Sequence, residues 1–477
     1  MSGKALAGFW TAAALGSKVD AVSRRMRVRS RLGRLPSITA WWVAIALAAL
    51  AATGPTATTA PGLAQPRTRQ VQDRGRRASV GTNVLDGFDP STLRADGSSL
   101  VVELPGGRRA QLTLDPPLQA HLQTYLARHE VPYASVVAIE PSTGRVLAYV
   151  NHSTANPAIA TDLALDPTPP AASVFKLVTA AALLEAGVDP DRRVCYGGGF
   201  RRLSPLDLVD DPRRDRHCAN LEDAVGSSIN AVFAKLALRH LDTARLERHA
   251  AAFGFGHALP FDVRTRPSPV RIPDREREPL EFARAAAGFW HVHMSPLHGA
   301  LVASVFAADG RMPRPTMVDR VLDARGRPLH RFEPSVFRQV LSRTTARAVG
   351  RMMQATVTRG TSRRAFHDRA GRPRLGSITA AGKTGTLSNP SPYRGYTWWV
   401  GFAPAERPSI ALAALVVNGP RWRIKASDLA CEALRRYLRG GVGASGAAPA
   451  SSPPSSRAGS ETSSTSPPES AAAGYGR

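Results

Sequence analysis

The stretch from Pro170 to Lys176 restricts this chain more than any other, because it places a hydroxyl and an amine at helical spacing. It opens an apolar run that continues to Gly187, and a helix there carries Ser173 and Lys176 one turn apart on the same face. The proline-rich approach favours a sharp entry into the first turn, where backbone N–H groups lack partners. An amine within reach of a hydroxyl is what a serine nucleophile needs when no histidine is its base.

Lysine is used sparingly in this chain, which makes Lys176 informative. The 477 residues include 63 Lys and Arg, of which only six are Lys. Arginine stays protonated in proteins, whereas a desolvated lysine can lose its proton and act as a base. Lys176 therefore indicates amine chemistry, although it also fits an ordinary, partly exposed helix position.

Two further short motifs follow in order. Ser228-Ile229-Asn230 lies in a segment, 221–241, whose apolar periodicity predicts one long amphipathic helix. Lys383-Thr384-Gly385 lies on a strand predicted over 377–386. Ser-x-x-Lys, Ser-x-Asn and Lys-Thr-Gly together are the signature of penicillin-binding proteins and serine β-lactamases.

Over roughly 110–440 the chain resembles the transpeptidase domain of penicillin-binding proteins. Further landmarks of that family occupy 112–119, 294–297, 359–362 and 398–402. The resemblance implies an α+β fold of the β-lactamase/transpeptidase type. Such a fold has an antiparallel five-stranded sheet covered by helices, plus an all-helical subdomain, with the site at their interface.

The resemblance also implies roles for named residues. The expected catalytic residues are Ser173, Lys176, Ser228, Asn230 and Lys383. The expected substrate-binding residues are Thr384, Gly385 and Thr386, and the oxyanion hole is expected from the backbone N–H groups of Ser173 and Thr386.

In these roles, Ser173 attacks a peptide carbonyl to form an acyl-enzyme, and Lys176 takes the hydroxyl proton. Ser228 passes a proton to the leaving amine, while Asn230 holds Lys176 and the substrate amide. Lys383 and the neighbouring hydroxyls attract a terminal carboxylate. Taken alone, Ser228 and Asn230 also fit a pair of polar residues on a helix surface.

The activity implied is that of a serine-type D-Ala-D-Ala transpeptidase that cross-links peptidoglycan stem peptides and is acylated by β-lactams, without a cofactor. A DD-carboxypeptidase or serine β-lactamase on the same fold is one alternative, and a non-catalytic scaffold or β-lactam sensor is another. A sensor needs a cytoplasmic output module, and the 37 residues before the apolar run are too few to fold into one. A separate glycosyltransferase is an expected partner.

The N-terminal part of the chain has the composition of a targeting or anchoring segment. Residues 1–37 hold eight basic residues against one acidic residue, and an apolar stretch at 38–58 follows. This layout indicates a basic cytoplasmic or signal n-region before a membrane anchor or signal h-region, and Met1 or Met26 as the start. The catalytic part is therefore expected outside the cytoplasm, in the periplasm on a membrane tether or exported.

Three further segments follow the apolar stretch. Residues 59–108 are expected to be a linker with short strands, and 109–440 the transpeptidase domain. Residues 441–477 are expected to be a disordered tail rich in Ser, Pro and Ala.

The net charge of +26 raises the question of a nucleic-acid partner. No basic stripe alternates with aromatic residues, which make up only 6% of the chain, so nucleic acid is not expected. An anionic lipid or wall polymer fits a protein near a membrane better.

The cysteines agree with an oxidising compartment. Cys195 and Cys218 bracket a polar loop rich in Arg and Asp, and are predicted to form a disulfide that stabilises the fold by about 3 kcal/mol. Two free thiols are the alternative. Cys431 is expected to be a buried free thiol.

Histidines and glutamates supply two weaker candidates. His291, His293 and His298 form a cluster in sequence, but neither a carboxylate nor a cysteine is adjacent, and no metal is expected. Glu278 and Glu281 faintly resemble the loop that carries a deacylating glutamate in class A β-lactamases, yet the asparagine expected after them is missing. Both are expected to be surface charges.

Overall fold

A computed structural model describes residues 85, 88–156, 162–200 and 202–444. The predicted basic segment 1–37, the apolar stretch 38–58 and the linker up to residue 84 lie outside these residues. So does the expected tail 441–477, except for 441–444, which belong to the last helix. Within the described part, no helix combines the length and apolar character needed to cross a membrane.

The described residues form runs of strands separated by runs of helices. The strands are β1 (Arg94–Asp96), β2 (Ser99–Leu104), β3 (Arg108–Leu112), β4 (Tyr133–Ile139), β5 (Val146–Ser153), β6 (Val194–Tyr196), β7 (His217–Ala219), β8 (Arg311–Pro313), β9 (Val318–Leu322), β10 (Pro328–Arg331), β11 (Val336–Gln339), β12 (Ala381–Pro390), β13 (Tyr393–Ala403) and β14 (Ile410–Asn418). The α-helices are α1 (Pro116–Arg128), α2 (Lys176–Glu185), α3 (Leu221–Gly226), α4 (Asn230–His240), α5 (Thr243–Ala252), α6 (Pro279–Ala286), α7 (Pro296–Ala307), α8 (Arg343–Thr358), α9 (Arg363–Phe366) and α10 (Ala426–Ala444).

The central sheet has the strand order β12-β13-β14-β4-β5, and each neighbouring pair is antiparallel. Strands β13 and β14 are buried along almost their whole length, because helices cover both faces of the sheet. Side chains of β4 alternate between two cores: Val137 and Ile139 pack on one side, Val136 and Ala138 on the other.

Each face of the central sheet has its own helical layer. On one face, Leu122 of α1 and Leu429 of α10 share the core of Val136. On the other face lies α7, which is buried from Pro296 to Phe306 because its sequence is apolar all round. Helices α2 to α6 extend this second layer into an all-helical subdomain. The predicted fold class is therefore confirmed.

A second five-stranded antiparallel sheet, in the order β1-β2-β3-β9-β10, combines strands that are far apart in sequence. It joins the central sheet through Thr113, whose hydroxyl donates to the carbonyl oxygens of Val146 (2.7 Å) and Thr316 (3.1 Å). The boundary expected between residues 108 and 109 falls at the start of β3. The short strands that were expected before this boundary are β1 and β2. They belong to the same sheet as β9 and β10.

The prediction of one continuous helix over 221–241 is wrong. Helix α3 ends at Gly226 and α4 begins at Asn230, and between them Ser228 has a φ of 58°. A left-handed residue cannot continue a right-handed helix. The apolar periodicity continues across the break, which is why the sequence pattern did not reveal it. The predicted strand over 377–386 begins later than expected, at Ala381.

Candidate active site

The turn that carries Ser173 is a 3₁₀ helix, Ala172–Phe175, and α2 follows it directly from Lys176. Ala172 has a φ of 50°, an uncommon conformation for a residue with a Cβ. Gly288 lies against it so closely that a Cβ there would come 2.2 Å from the Ala172 carbonyl oxygen. The segment that leads into this turn is also held in place, because the Trp398 indole N–H donates to the Pro170 carbonyl oxygen at 2.8 Å.

Lys176 is completely buried and its amine has three acceptors. Its Nζ donates to Ser173 Oγ at 2.7 Å, to Asn230 Oδ1 at 2.7 Å and to the Ala287 carbonyl oxygen at 2.9 Å. Burial, and after it the positive charge of Lys383, lowers the pKa of Lys176 well below its ordinary value of 10.5. A neutral amine has a lone pair, so this group can receive the Ser173 proton.

Lys383 is the second buried lysine of the cleft. Its Nζ donates to Ser228 Oγ at 2.8 Å and to the Thr384 carbonyl oxygen at 2.9 Å. Burial lowers the pKa of Lys383 to about 7. The break between α3 and α4 points Ser228 towards this amine, and starts the helix on which Asn230 faces Lys176.

Strand β12 forms one edge of the central sheet, so one side of its backbone is unpaired within the described sheet. Its Gly385 packs against the serine turn: a Cβ would lie 3.1 Å from Ala172 Cβ. The Thr384 hydroxyl is hydrogen-bonded to that of Thr361 at 2.5 Å, and Thr386 is exposed. Hydroxyls and an ammonium group therefore line the strand edge beside Ser173.

The structure thus brings together the five residues expected to be catalytic, through two short hydrogen-bond chains. One joins Ser173, Lys176 and Asn230, and the other joins Ser228 and Lys383. Sequence reasoning missed the carbonyl groups of Ala287 and Phe200, which hold Lys176 and Asn230. Every residue has a carbonyl, so the sequence holds no signal for them. Thr361 lies in the landmark 359–362, but its contact with Thr384 was not foreseen.

The other candidate residues lie outside this cleft. Cys195 and Cys218 form a disulfide bond, whereas Cys431 is free and buried. His298 is buried between Ser268 Oγ and the Phe253 carbonyl, and burial lowers its pKa to about 4. Among the described residues, no three His, Cys, Asp or Glu side chains lie close enough together to hold a metal ion.

The two glutamates considered as candidates have partners. Glu281 contacts Arg284 at 2.6 Å and His291 at 2.8 Å, and Glu278 contacts Arg271 at 2.7 Å. No sequence pattern indicated that Glu281 and His291 would meet, because α6 ends between them.

The chain is similar to a known protein family and to solved structures. A family model described as "Penicillin binding protein transpeptidase domain" matches residues 134–435. The peptidoglycan D,D-transpeptidase PbpA of Mycolicibacterium smegmatis is 28% identical over an alignment of 323 residues, and the match covers 60% of this chain and 62% of that protein. The match to this protein and to its counterparts in Mycobacterium tuberculosis therefore spans about three fifths of the length of these curated relatives.

Solved structures share the fold. The D,D-transpeptidase domain of a peptidoglycan glycosyltransferase from Eggerthella lenta has a TM-score of 0.57 and 26% identity, and the match covers 70% of this chain and 83% of that one. Penicillin-binding protein A from M. tuberculosis, as an imipenem acyl-enzyme complex, has a TM-score of 0.55 and 22% identity, with 69% and 79% covered.

Proposed function

The chain belongs to the family of penicillin-binding protein transpeptidase domains, and we propose that it is a serine-type D,D-transpeptidase that cross-links peptidoglycan stem peptides. The observation that carries this proposal is the buried Lys176 amine, 2.7 Å from Ser173 Oγ and with a lowered pKa. This pair can generate a nucleophile without a histidine or a metal ion.

Acylation begins with attack of Ser173 Oγ on the carbonyl between the two D-Ala residues of a stem peptide. The hydroxyl proton passes to neutral Lys176 as the new C–O bond forms. The backbone N–H groups of Ser173 and Thr386 stabilise the oxyanion. Ser228 then relays a proton to the departing amine of the terminal D-Ala. An amine of a second stem peptide attacks the acyl-enzyme, forms the cross-link and returns Ser173 to its free state.

Substrate recognition belongs to the edge of β12. Lys383, Thr384 and Thr386 offer one cation and two hydroxyls to the terminal carboxylate of the donor peptide. The free edge of the strand offers backbone N–H and C=O groups, to which an extended peptide can add. Gly385 has no side chain, so the peptide can come close to this edge of β12 and reach Ser173.

The direct test is covalent labelling with a fluorescent penicillin. We expect one adduct per chain by intact-mass spectrometry, mapped by peptide to Ser173, and no labelling of Ser173→Ala. Ser227→Ala is the matched control, because Ser227 is exposed and lies one residue from Ser228. An adduct that persists in Ser173→Ala would disprove the assignment.

The lifetime of the adduct separates the alternatives on this fold. In a transpeptidase an amine and not water resolves the acyl-enzyme, so the penicilloyl-enzyme should persist for many minutes. A β-lactamase hydrolyses it within seconds. A DD-carboxypeptidase releases D-Ala from a stem peptide without an added amine. Glu281, the candidate for a deacylating base, is bound to Arg284 and His291, which favours slow hydrolysis.

We also propose that the protein works outside the cytoplasm, attached to the membrane through 38–58. The disulfide supports this, because such bonds persist in oxidising compartments. A separate glycosyltransferase supplies the glycan strands in this scheme. If Ser173→Ala leaves the wall of the producing cells unchanged while deletion of the whole chain does not, a scaffold role replaces the enzymatic one.

A further inference from the structure

A disulfide closes a loop beside the candidate active site. We define the disulfide loop as residues 195–200 and 202–218; its ends are Cys195 in β6 and Cys218 in β7, which are register partners in a two-stranded ribbon. The loop packs on α4, the helix that begins with Asn230. Three independent contacts tie the loop to that helix.

The first contact orients the Asn230 amide. Its Nδ2 donates to the Phe200 carbonyl oxygen of the disulfide loop at 3.0 Å, while its Oδ1 accepts from Lys176 at 2.7 Å. A carbonyl oxygen can only accept, so the reversed amide would place Asn230 Oδ1 against the Phe200 carbonyl oxygen, acceptor against acceptor. The Phe200 carbonyl thus selects the orientation in which Asn230 can hold Lys176.

The second contact is a buried ion pair, one turn further along α4. Lys235 is 1% exposed, and its Nζ donates to the Cys195 carbonyl oxygen at 2.9 Å and to the Asp215 carboxylate. Asp210 lies 3.2 Å from the same amine. A buried ammonium group is costly unless it is paired, so Lys235 holds both ends of the disulfide loop against the helix.

The third contact is steric. Gly199 has a φ of 74°, and a Cβ there would lie 2.9 Å from Cβ of Ala231, the residue after Asn230. The limbs of the loop are equally close, since a Cβ on Gly197 would lie 2.0 Å from the Arg214 carbonyl oxygen. The loop therefore reaches Asn230 with its two limbs close together, and the disulfide joins those limbs at their ends.

We propose that the disulfide loop is a positioning element for Asn230, and that opening the Cys195–Cys218 bond slows acylation of Ser173. The inference rests on the proposed function, because acylation is its readout. A dithiol such as dithiothreitol opens the bond by exchange: the S–S bond breaks, both cysteines become thiols, and the reductant is oxidised to its cyclic disulfide. Freed limbs release the Phe200 carbonyl, and the Asn230 amide loses its fixed orientation.

The experiment measures acylation by a β-lactam, separating the rate constant at saturation, k2, from the half-saturating concentration, K. Cys431→Ser is the starting protein, because it leaves Cys195 and Cys218 as its only cysteines. We expect reduction to lower k2 by about tenfold or more, the effect of a weakened hydrogen bond between Asn230 and Lys176, and reoxidation to restore it. K should change little, because Lys383 and the β12 edge are untouched. A k2 that is equal in both redox states, in protein that remains folded by circular dichroism, overturns the proposal.

A double-mutant cycle distinguishes positioning from a general loss of stability. In Asn230→Ala the amide is absent, so reduction should lower k2 by less than about twofold further. Additive tenfold effects would mean that the loop does not act through Asn230. If oxidised Cys431→Ser is not acylated at all, the proposed function fails rather than this inference. Asp215→Asn, which weakens the Lys235 contact with the disulfide intact, should lower k2 in the same direction.

Discussion

Two lysines in one cleft have different surroundings, and this difference decides what each can do. The amine of Lys176 is fully buried, and the positive charge of Lys383 acts on it in addition. The pKa of Lys383 falls through burial alone, to about 7. Lys176 is therefore the group that loses its proton more readily, which suits a base, while Lys383 keeps enough positive charge near neutral pH to attract a carboxylate.

These two shifts predict a bell-shaped pH profile for acylation by penicillin. The base must be neutral, so k2/K should rise as the pH rises through the lowered pKa of Lys176. The carboxylate partner must be charged, so k2/K should fall as the pH rises through about 7, the pKa of Lys383. Stopped-flow labelling between about pH 5 and pH 9 measures the profile. Arginine does not deprotonate, so Lys383→Arg should lose the alkaline limb. A wild-type rate that stays constant above pH 7 would contradict this.

Lys176 itself should be replaceable only by a residue that can give up a proton. Lys176→Arg keeps the positive charge but has no basic form at accessible pH, so we expect k2 to fall by roughly 10²–10⁴-fold. Lys425→Arg is the matched control, because Lys425 is an exposed lysine. This variant should be acylated at the wild-type rate. Rapid acylation of Lys176→Arg would remove this lysine from the mechanism.

Among the structural elements, the turn Ala172–Phe175 depends most on its neighbours. Its first residue has a positive φ, and two glycines, Gly288 and Gly385, are in contact with it. Side chains at those positions would displace the turn and so move Ser173. An unfavourable backbone conformation of this kind is typical of functional sites, where the surrounding structure maintains it.

Gly288→Ala therefore should impair acylation, and Gly187→Ala should not. Both glycines have nearly the same φ, 79° and 81°, so both variants carry a similar backbone cost of about 1–2 kcal/mol. Only at position 288 would the new Cβ meet another group, the Ala172 carbonyl oxygen at 2.2 Å; at position 187 nothing lies within 4 Å. Because of this clash we expect Gly288→Ala to lose more melting temperature than Gly187→Ala, and only Gly288→Ala to have a k2 at least about tenfold lower. Equal k2 values would argue against the role of Gly288.

Across the whole molecule, Asp262 is one of the residues whose polar contacts join the second sheet to the catalytic part. Its carboxylate accepts from the Thr316 hydroxyl at 2.7 Å and from the Met317 backbone N–H at 2.6 Å, next to β9. Its own backbone carbonyl accepts from Leu85 N–H at 2.9 Å. One residue thus connects the helical subdomain with the second sheet.

Asp262→Ala should lower the free energy of unfolding without slowing acylation. Removing the carboxylate leaves the Met317 N–H and the Thr316 hydroxyl without this acceptor, which should cost about 2–4 kcal/mol. Urea denaturation measures the loss, and k2 should stay within about twofold of wild type, because none of these groups reaches the cleft. Asp262→Asn retains an acceptor oxygen and should lose less. A large fall in k2 would show that the second sheet is coupled to the site.

Reasoning from the residues alone was sufficient where the chemistry is local, and the family resemblance supplied the distant residues Ser228, Asn230 and Lys383. Ser173 and Lys176 are three residues apart, so helical spacing alone brings them together. The five-stranded central sheet was predicted from a family resemblance and not from apolar periodicity. Periodicity also did not detect the helix break at Ser228. The second sheet was missed as a unit because β3 and β9 are far apart in sequence and neither shows which strand it pairs with.

The amino-acid sequence by itself determined which functional groups are available: one hydroxyl at helical distance from an amine, a second amine on a strand, and two cysteines that can pair. Only the tertiary structure decided their reactivity. It buried both amines, set Lys383 beside Ser228 across 155 residues, and supplied the carbonyl groups of Ala287 and Phe200. The physical reason is that a pKa and a hydrogen bond depend on the surroundings of a group, and those surroundings exist only after the distant parts of the chain have packed together.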